Sequence, residues 1–162
     1  SLNRAALAAY PALLKAGLRI IHLCGRKPYF ELKQQVKPHP NLLLLPYLEQ
    51  MEHALALADL ALARAGASFL AEAAVLGLPA ILAPYPHAAN DHQRHNARLF
   101  AAHDAALMVE DKDLSGKLLS EIALSLRDNR PRLQRMALAA LALGRREATQ
   151  EICSIGKQLI RA

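Results

Sequence analysis

DLALARAGASFLAEAAVLGLPAILAPY, from Asp59 to Tyr85, reads as strand, tight turn, helix and strand. DLALAR is a short apolar run, and Gly66 permits the sharp turn that follows it. ASFLAEAAVLG has the length and composition of a helix, with Gly77 at its C-terminal cap. PAILAPY is then a second apolar strand. Strands that are apolar on both faces and joined through a helix belong to a parallel sheet with helices on either side.

The same alternation extends outward in both directions. LNRAALAAYPALLKAG reads as a helix closed by Gly17, LRIIHLCG as a strand reaching Gly25, and PYFELKQQ as a short helix before Pro38 and Pro40. NLLLLPY is a strand and EQMEHALALA a helix. Beyond the central unit come the helical NDHQRHNARLFAAHD and the strand AALMVE. From Leu114 onward the chain reads as three helices, broken near Asp128 to Pro131 and at Gly144. The fold class is α/β, a Rossmann-like parallel sheet with helices on both faces, in one domain over residues 1–162 with C-terminal helices from about residue 113.

Composition agrees with one globular domain: 53% of the 162 residues are hydrophobic and 21% charged. The longest apolar runs, NLLLLPYL and LALALADLALA, are too short or too interrupted to span a bilayer. The amphipathic start lacks the apolar stretch and cleavage site of a secretory signal and reads as a helix of the domain. Cys24 and Cys153 are far apart and in no metal-binding spacing, as expected for a reducing cytoplasm. A net charge of +6 favours anionic partners. Aromatic residues make up only 4% and tryptophan is absent, so nucleic acid is not the expected partner.

Ligands of open parallel sheets sit beyond the carboxyl ends of the strands, where helix N-termini direct free N–H groups at them. In RAGAS the N–H groups of Ala67, Ser68 and Phe69 are positioned to grip a phosphate oxygen, and Glu72 to accept hydrogen bonds from ribose hydroxyls. In the plain structural alternative Gly66 ends the strand, Ser68 caps the helix and Glu72 favours its positive end.

PHAANDHQRHNA, from Pro86 to Ala97, has three readings. His87, His92 and His95 with Asp91 offer metal-ligand types, but in no strong ligand spacing, so no metal is expected. Structurally, Asn90 or Asp91 caps a helix and the histidines are solvated. As a sugar site, Gln93 and Asn96 lie three apart on one helical face and present neutral amides to hydroxyls.

The run ADLALARAGASFLAEAAVLGLPAILAPYPHAANDHQRHNA closely resembles the donor-binding core of the MurG family, bacterial enzymes that transfer N-acetylglucosamine from its UDP donor to an undecaprenyl-linked muramyl-pentapeptide. IIHLCG and YLEQM are similar to further family segments, so the resemblance covers nearly the whole chain. It implies the C-terminal, donor-binding half of a GT-B glycosyltransferase. By that resemblance Ala67, Ser68 and Phe69 meet the diphosphate through backbone N–H groups, and Glu72 holds the ribose. The backbone at Leu48 reads the uracil edge, Gln93 and Asn96 contact the sugar, and His87 lies near the phosphates.

The resemblance begins after the first strand of that half and its Gly-Gly-Ser loop, so both are expected to be lacking, and Ser1 is not that loop's serine. The N-terminal domain, with its acceptor site and general base, is likewise outside the resemblance. What it implies is an inverting displacement at the anomeric carbon without metal or other cofactor, no catalytic acid or base in this chain, and a place on the inner face of the bacterial plasma membrane. The alternatives are a nucleotide-sugar-binding module and another GT-B transferase that makes a glycolipid.

Overall fold

The computed structural model describes residues 1–161. Helices and strands alternate: α1 (Leu2–Lys15), β1 (Ile20–Leu23), α2 (Tyr29–Gln35), β2 (Leu42–Leu45), α3 (Met51–Leu57), β3 (Ala61–Ala63), α4 (Ala67–Leu76), β4 (Ala80–Leu82), α5 (His92–Ala102) and β5 (Ala106–Met108). Three helices close the chain: α6 (Gly116–Asp128), α7 (Arg130–Leu143) and α8 (Ala148–Arg161). Every expected element is present. The strands are shorter than their apolar runs, because the flanking residues serve as turns and caps.

All pairings are parallel, but among the described residues they form two pieces. β1 pairs with β2, with Ile20 opposite Leu42, and β3–β4–β5 form a separate trio. α1 covers both pieces: its Ala9 and Leu13 share one apolar cluster with Ile20 of β1, Leu62 of β3, Ile81 of β4 and Leu119 and Ala123 of α6. Covering is complete over β4, whose three residues are all buried, and partial over β1 and β2. There Ile21 and Leu43, adjacent in register, remain about half exposed.

Glycine sets two of the close approaches. Gly77 caps α4 with a left-handed backbone, φ 64°, and sends Leu78 N–H back to Ala73 O at 2.8 Å. Gly116 opens α6 against α1, where an added methyl carbon would lie 2.6 Å from the carbonyl carbon of Ala8. Among the described residues no helix is long and apolar enough to cross a membrane.

Candidate functional site

The carboxyl end of β3 leads through Arg64 and Ala65 into the turn that opens α4. Gly66 is the N-cap of α4 in an extended conformation, φ −70° and ψ 143°, and no side chain caps the helix. Leu70 N–H is the first to return to Gly66 O, at 3.0 Å. The N–H groups of Ala67, Ser68 and Phe69 are therefore the unpaired donors of the first turn, at the positive end of the helix. Ser68 is the second residue of α4, which corrects the reading in which it caps the helix. Ala67 and Ser68 are exposed and Phe69 is half-buried.

Glu72 is exposed on the same helix. The first turn of α4 holds no acidic residue, and the influence of the dipole fades beyond that turn. The positive end of the helix therefore does not account for this carboxylate.

α5 brings two amides to the ends of β3 and β4. Gln93 Oε1 accepts a hydrogen bond from Tyr85 N–H at 2.9 Å, and Asn96 Nδ2 donates to Ala65 O at 3.1 Å. A backbone N–H only donates and a carbonyl only accepts, so these partners fix which way each amide points. Gln93 is left with its NH2 as a free donor, and Asn96 with its Oδ1 as a free acceptor. Two side chains three residues apart thus offer opposite polarity.

The other expected residues are more scattered. His87 is exposed and meets only the ring of Tyr85, edge to face at 5.6 Å. His92 and His95 are exposed, and His92 Nδ1 lies 2.7 Å from Ala89 O. No group of three metal-ligating side chains forms among the described residues. Asp91 occupies the cap position of α5, but no side chain caps that helix, and the Asp91 carboxylate binds Arg94 at 2.9 Å. Leu48 is half-buried in the loop beyond β2, on the other piece of the sheet from α4 and α5.

Sequence reasoning missed Arg64. Its Nη1 donates to Ala83 O at 2.9 Å and Pro84 O at 3.0 Å and pairs with Asp111 at 2.6 Å. Its Nη2 donates to Ser1 Oγ at 2.8 Å, and its guanidinium lies over the Tyr85 ring. One side chain thereby ties the carboxyl ends of β3 and β4, the segment after β5 and the start of α1. Burial works to raise the Asp111 pKa, but hydrogen bonds from Ser1 and Arg64 and the charge of Arg64 outweigh it, and the carboxyl is held below its usual range. The available signal was a lone arginine ending an otherwise apolar strand.

The family model described as glycosyltransferase family 28 C-terminal domain matches residues 1–152. A protein of Desulforamulus reducens is 38% identical over 150 residues, covering 88% of this chain and 40% of its own length. One of Chlorobium luteolum is 43% identical over 137 residues, covering 85% and 38%. Both carry the name UDP-N-acetylglucosamine--N-acetylmuramyl-(pentapeptide) pyrophosphoryl-undecaprenol N-acetylglucosamine transferase. The crystal structure of Acinetobacter baumannii MurG superposes with a TM-score of 0.80 at 31% identity, over 95% of this chain and 46% of that one. A structure described as a putative UDP-N-acetylglucosamine 2-epimerase from Listeria monocytogenes shares the fold alone, at TM-score 0.73 and 15% identity, over 99% of this chain and 42% of its own. The chain spans about two fifths of the length of these curated relatives.

Proposed function

We propose, because the chain belongs to the glycosyltransferase family 28 C-terminal domain family and has the fold of the C-terminal half of a GT-B glycosyltransferase, that residues 1–162 form the UDP-sugar-binding domain of an enzyme that moves N-acetylglucosamine from UDP-N-acetylglucosamine to a lipid-linked muramyl-pentapeptide. The observation that carries this reading is the uncapped first turn of α4 beside two amides of fixed, opposite polarity. A diphosphate suits the first and neutral sugar hydroxyls suit the second.

In this reading Ala67, Ser68 and Phe69 bind the diphosphate through their N–H groups, and Glu72 accepts hydrogen bonds from the ribose hydroxyls. Gln93 donates to one sugar hydroxyl while Asn96 accepts from another. The backbone at Leu48 reads the uracil edge, and His87 stands near the phosphates. When the acceptor hydroxyl displaces UDP at the anomeric carbon, negative charge grows on the leaving diphosphate. Oriented N–H groups at a helix N-terminus stabilise that charge with little reorganisation. No residue of this chain is assigned the base that takes the acceptor proton. An acceptor on pyrophosphoryl-undecaprenol, as in the relatives' name, would bring the full-length protein to the inner face of the bacterial plasma membrane.

Calorimetric titration of the full-length protein tests the assignment. UDP-N-acetylglucosamine is expected to bind more tightly than UDP-glucose or UDP-N-acetylgalactosamine. Absence of UDP binding would overturn the nucleotide site, and equal affinity for all three donors would remove Gln93 and Asn96 from sugar selection.

A further inference from the structure

Asn90 and Asp91 are consecutive residues with left-handed backbones, at φ 50° and φ 54°. Asparagine and aspartate tolerate that conformation better than other side chains, yet two in succession persist only where the surroundings hold them. They turn the chain sharply from the loop after β4 into the first turn of α5, which begins at His92 and contains Gln93.

The holding group is Arg94. Its Nη1 meets Asp91 Oδ2 at 2.9 Å and its Nη2 meets Glu110 Oε2 at 3.0 Å. Glu110 directly follows Val109, whose N–H bonds to Leu82 O of β4 at 2.9 Å, so it stands on the rigid carboxyl edge of the sheet. Arg94 Nε is buried without a partner. The guanidinium is thus committed to two carboxylates, and its planar fork fixes their relative direction.

We propose that Arg94 is a positioning residue for the donor sugar: by joining Asp91 to Glu110 it sets the entry of α5 and so the direction in which Gln93 presents its free NH2. This rests on the reading of Gln93 as a sugar contact. Pairs as exposed as these, with the Arg94 side chain at 32% and Asp91 at 41%, contribute little to stability, so the consequence falls on position. Asn96 lies a turn further along α5 and is anchored to Ala65 O beyond β3. Gln93 lies in the first turn next to Arg94, and its anchor, Tyr85 N–H, belongs to the loop after β4 that the clamp closes, so Gln93 is the amide whose placement follows the clamp.

The test measures Kd for UDP and for UDP-N-acetylglucosamine in the full-length protein carrying Arg94→Met, Glu110→Gln, Gln93→Ala, or Arg94→Met with Gln93→Ala. Arg94→Met is expected to weaken UDP-N-acetylglucosamine about three- to tenfold, the scale of one lost hydrogen bond, while UDP affinity stays at the parent value. The double variant should be no weaker than Gln93→Ala alone, because both changes remove the same contact. Glu110→Gln weakens only the anchor on the sheet, leaving a neutral amide oxygen in place of a charged acceptor, and should reproduce part of the loss, which keeps the inference testable if Arg94→Met misfolds. A loss with Gln93→Ala but none with Arg94→Met or Glu110→Gln would overturn the positioning role and leave the site reading intact. No effect of Gln93→Ala would overturn the sugar-contact reading and the inference with it. Equal weakening of both ligands, or full additivity in the double variant, would assign Arg94 a general structural role instead.

Discussion

Glu72 and His22 show what a single residue does when its surroundings are known. Glu72 is exposed on α4, beyond the turn where a helix dipole would reward it, so its carboxylate is free for a ligand. A hydrogen bond to a charged group contributes about 1.5 to 3 kcal/mol, so Glu72→Ala should weaken UDP binding by about one to two powers of ten with the fold unchanged. Calorimetry finding unaltered affinity would remove Glu72 from the site. His22 is the opposite case, a half-buried ring while the other six histidines are exposed. Asn3 Nδ2 donates to Cys24 O, so Asn3 Oδ1 accepts from His22 Nε2–H at 3.0 Å, and His22 Nδ1 takes the hydroxyl of Tyr10. Burial lowers the His22 pKa, and burial, with the neighbouring Cys24, pushes Tyr10 up to about 12. The unfolded chain therefore binds a proton near pH 6.5 that the folded chain refuses, so stability is full above that pH and falls as pH drops below it. The urea midpoint of the chain should be lower at pH 5.5 than at pH 7.5, and His22→Gln should flatten that difference. An equal fall in the variant would assign the acid loss elsewhere. Little of this was legible in the sequence: spacing gave Gln93 and Asn96 as one of three readings and the family resemblance singled them out, but their opposite polarity depends on Tyr85 and Ala65, which lie elsewhere in the chain. Arg64 escaped for the same reason, and so did the clamp at Arg94, because although Asp91 is three residues away its second carboxylate, Glu110, comes from beyond β5.

At the scale of elements the sequence was far more legible, because periodicity and caps are local. Continuous apolar runs gave the parallel strands, and Gly77 ended α4 where expected. What stayed hidden was how the elements meet. Gly116 reads as an ordinary helix start, yet it lets α6 lie directly on α1, where a methyl group would stand 2.6 Å from the carbonyl carbon of Ala8 and 2.9 Å from the nitrogen of Ala9. Ser115 caps the same helix by accepting from Leu118 N–H at 3.2 Å, so the position of α6 is fixed from its first turn. Backbone atoms cannot give way as a flexible side chain would. Gly116→Ala should therefore destabilise the chain by about 1 to 3 kcal/mol, the usual cost of overpacking, despite alanine's better helix propensity. Thermal unfolding of the variant and parent checks this, and an unchanged or raised midpoint would mean that α1 and α6 can separate at no cost.

At the scale of the whole molecule the proposed donor site is divided. Leu48 follows the β1–β2 piece, whereas Ala67 to Phe69, Glu72, Gln93 and Asn96 belong to the β3–β4–β5 piece, and α1 packs on both. Periodicity reported five parallel strands but not this break, because it says nothing of which strands are neighbours. The expectation of an absent strand came from the family resemblance. The two side chains proposed to meet the sugar offer no base: Gln93 and Asn96 are neutral amides, and the carboxylates of Asp91, Glu110 and Asp111 are engaged by Arg94 and Arg64. Transfer also requires an acceptor hydroxyl held near the anomeric carbon, and such positioning is worth about 7 to 11 kcal/mol of the barrier. The chain spans about two fifths of the relatives' length. The purified 162-residue chain should accordingly form no product when given UDP-N-acetylglucosamine and the lipid-linked muramyl-pentapeptide, under conditions where the full-length protein turns over. It should also bind UDP more weakly than that protein. Adding the separately expressed remainder should restore turnover if the two parts assemble. Product from the 162-residue chain alone would mean that it contains the base and the acceptor site, and that the division of labour implied by the family resemblance is wrong.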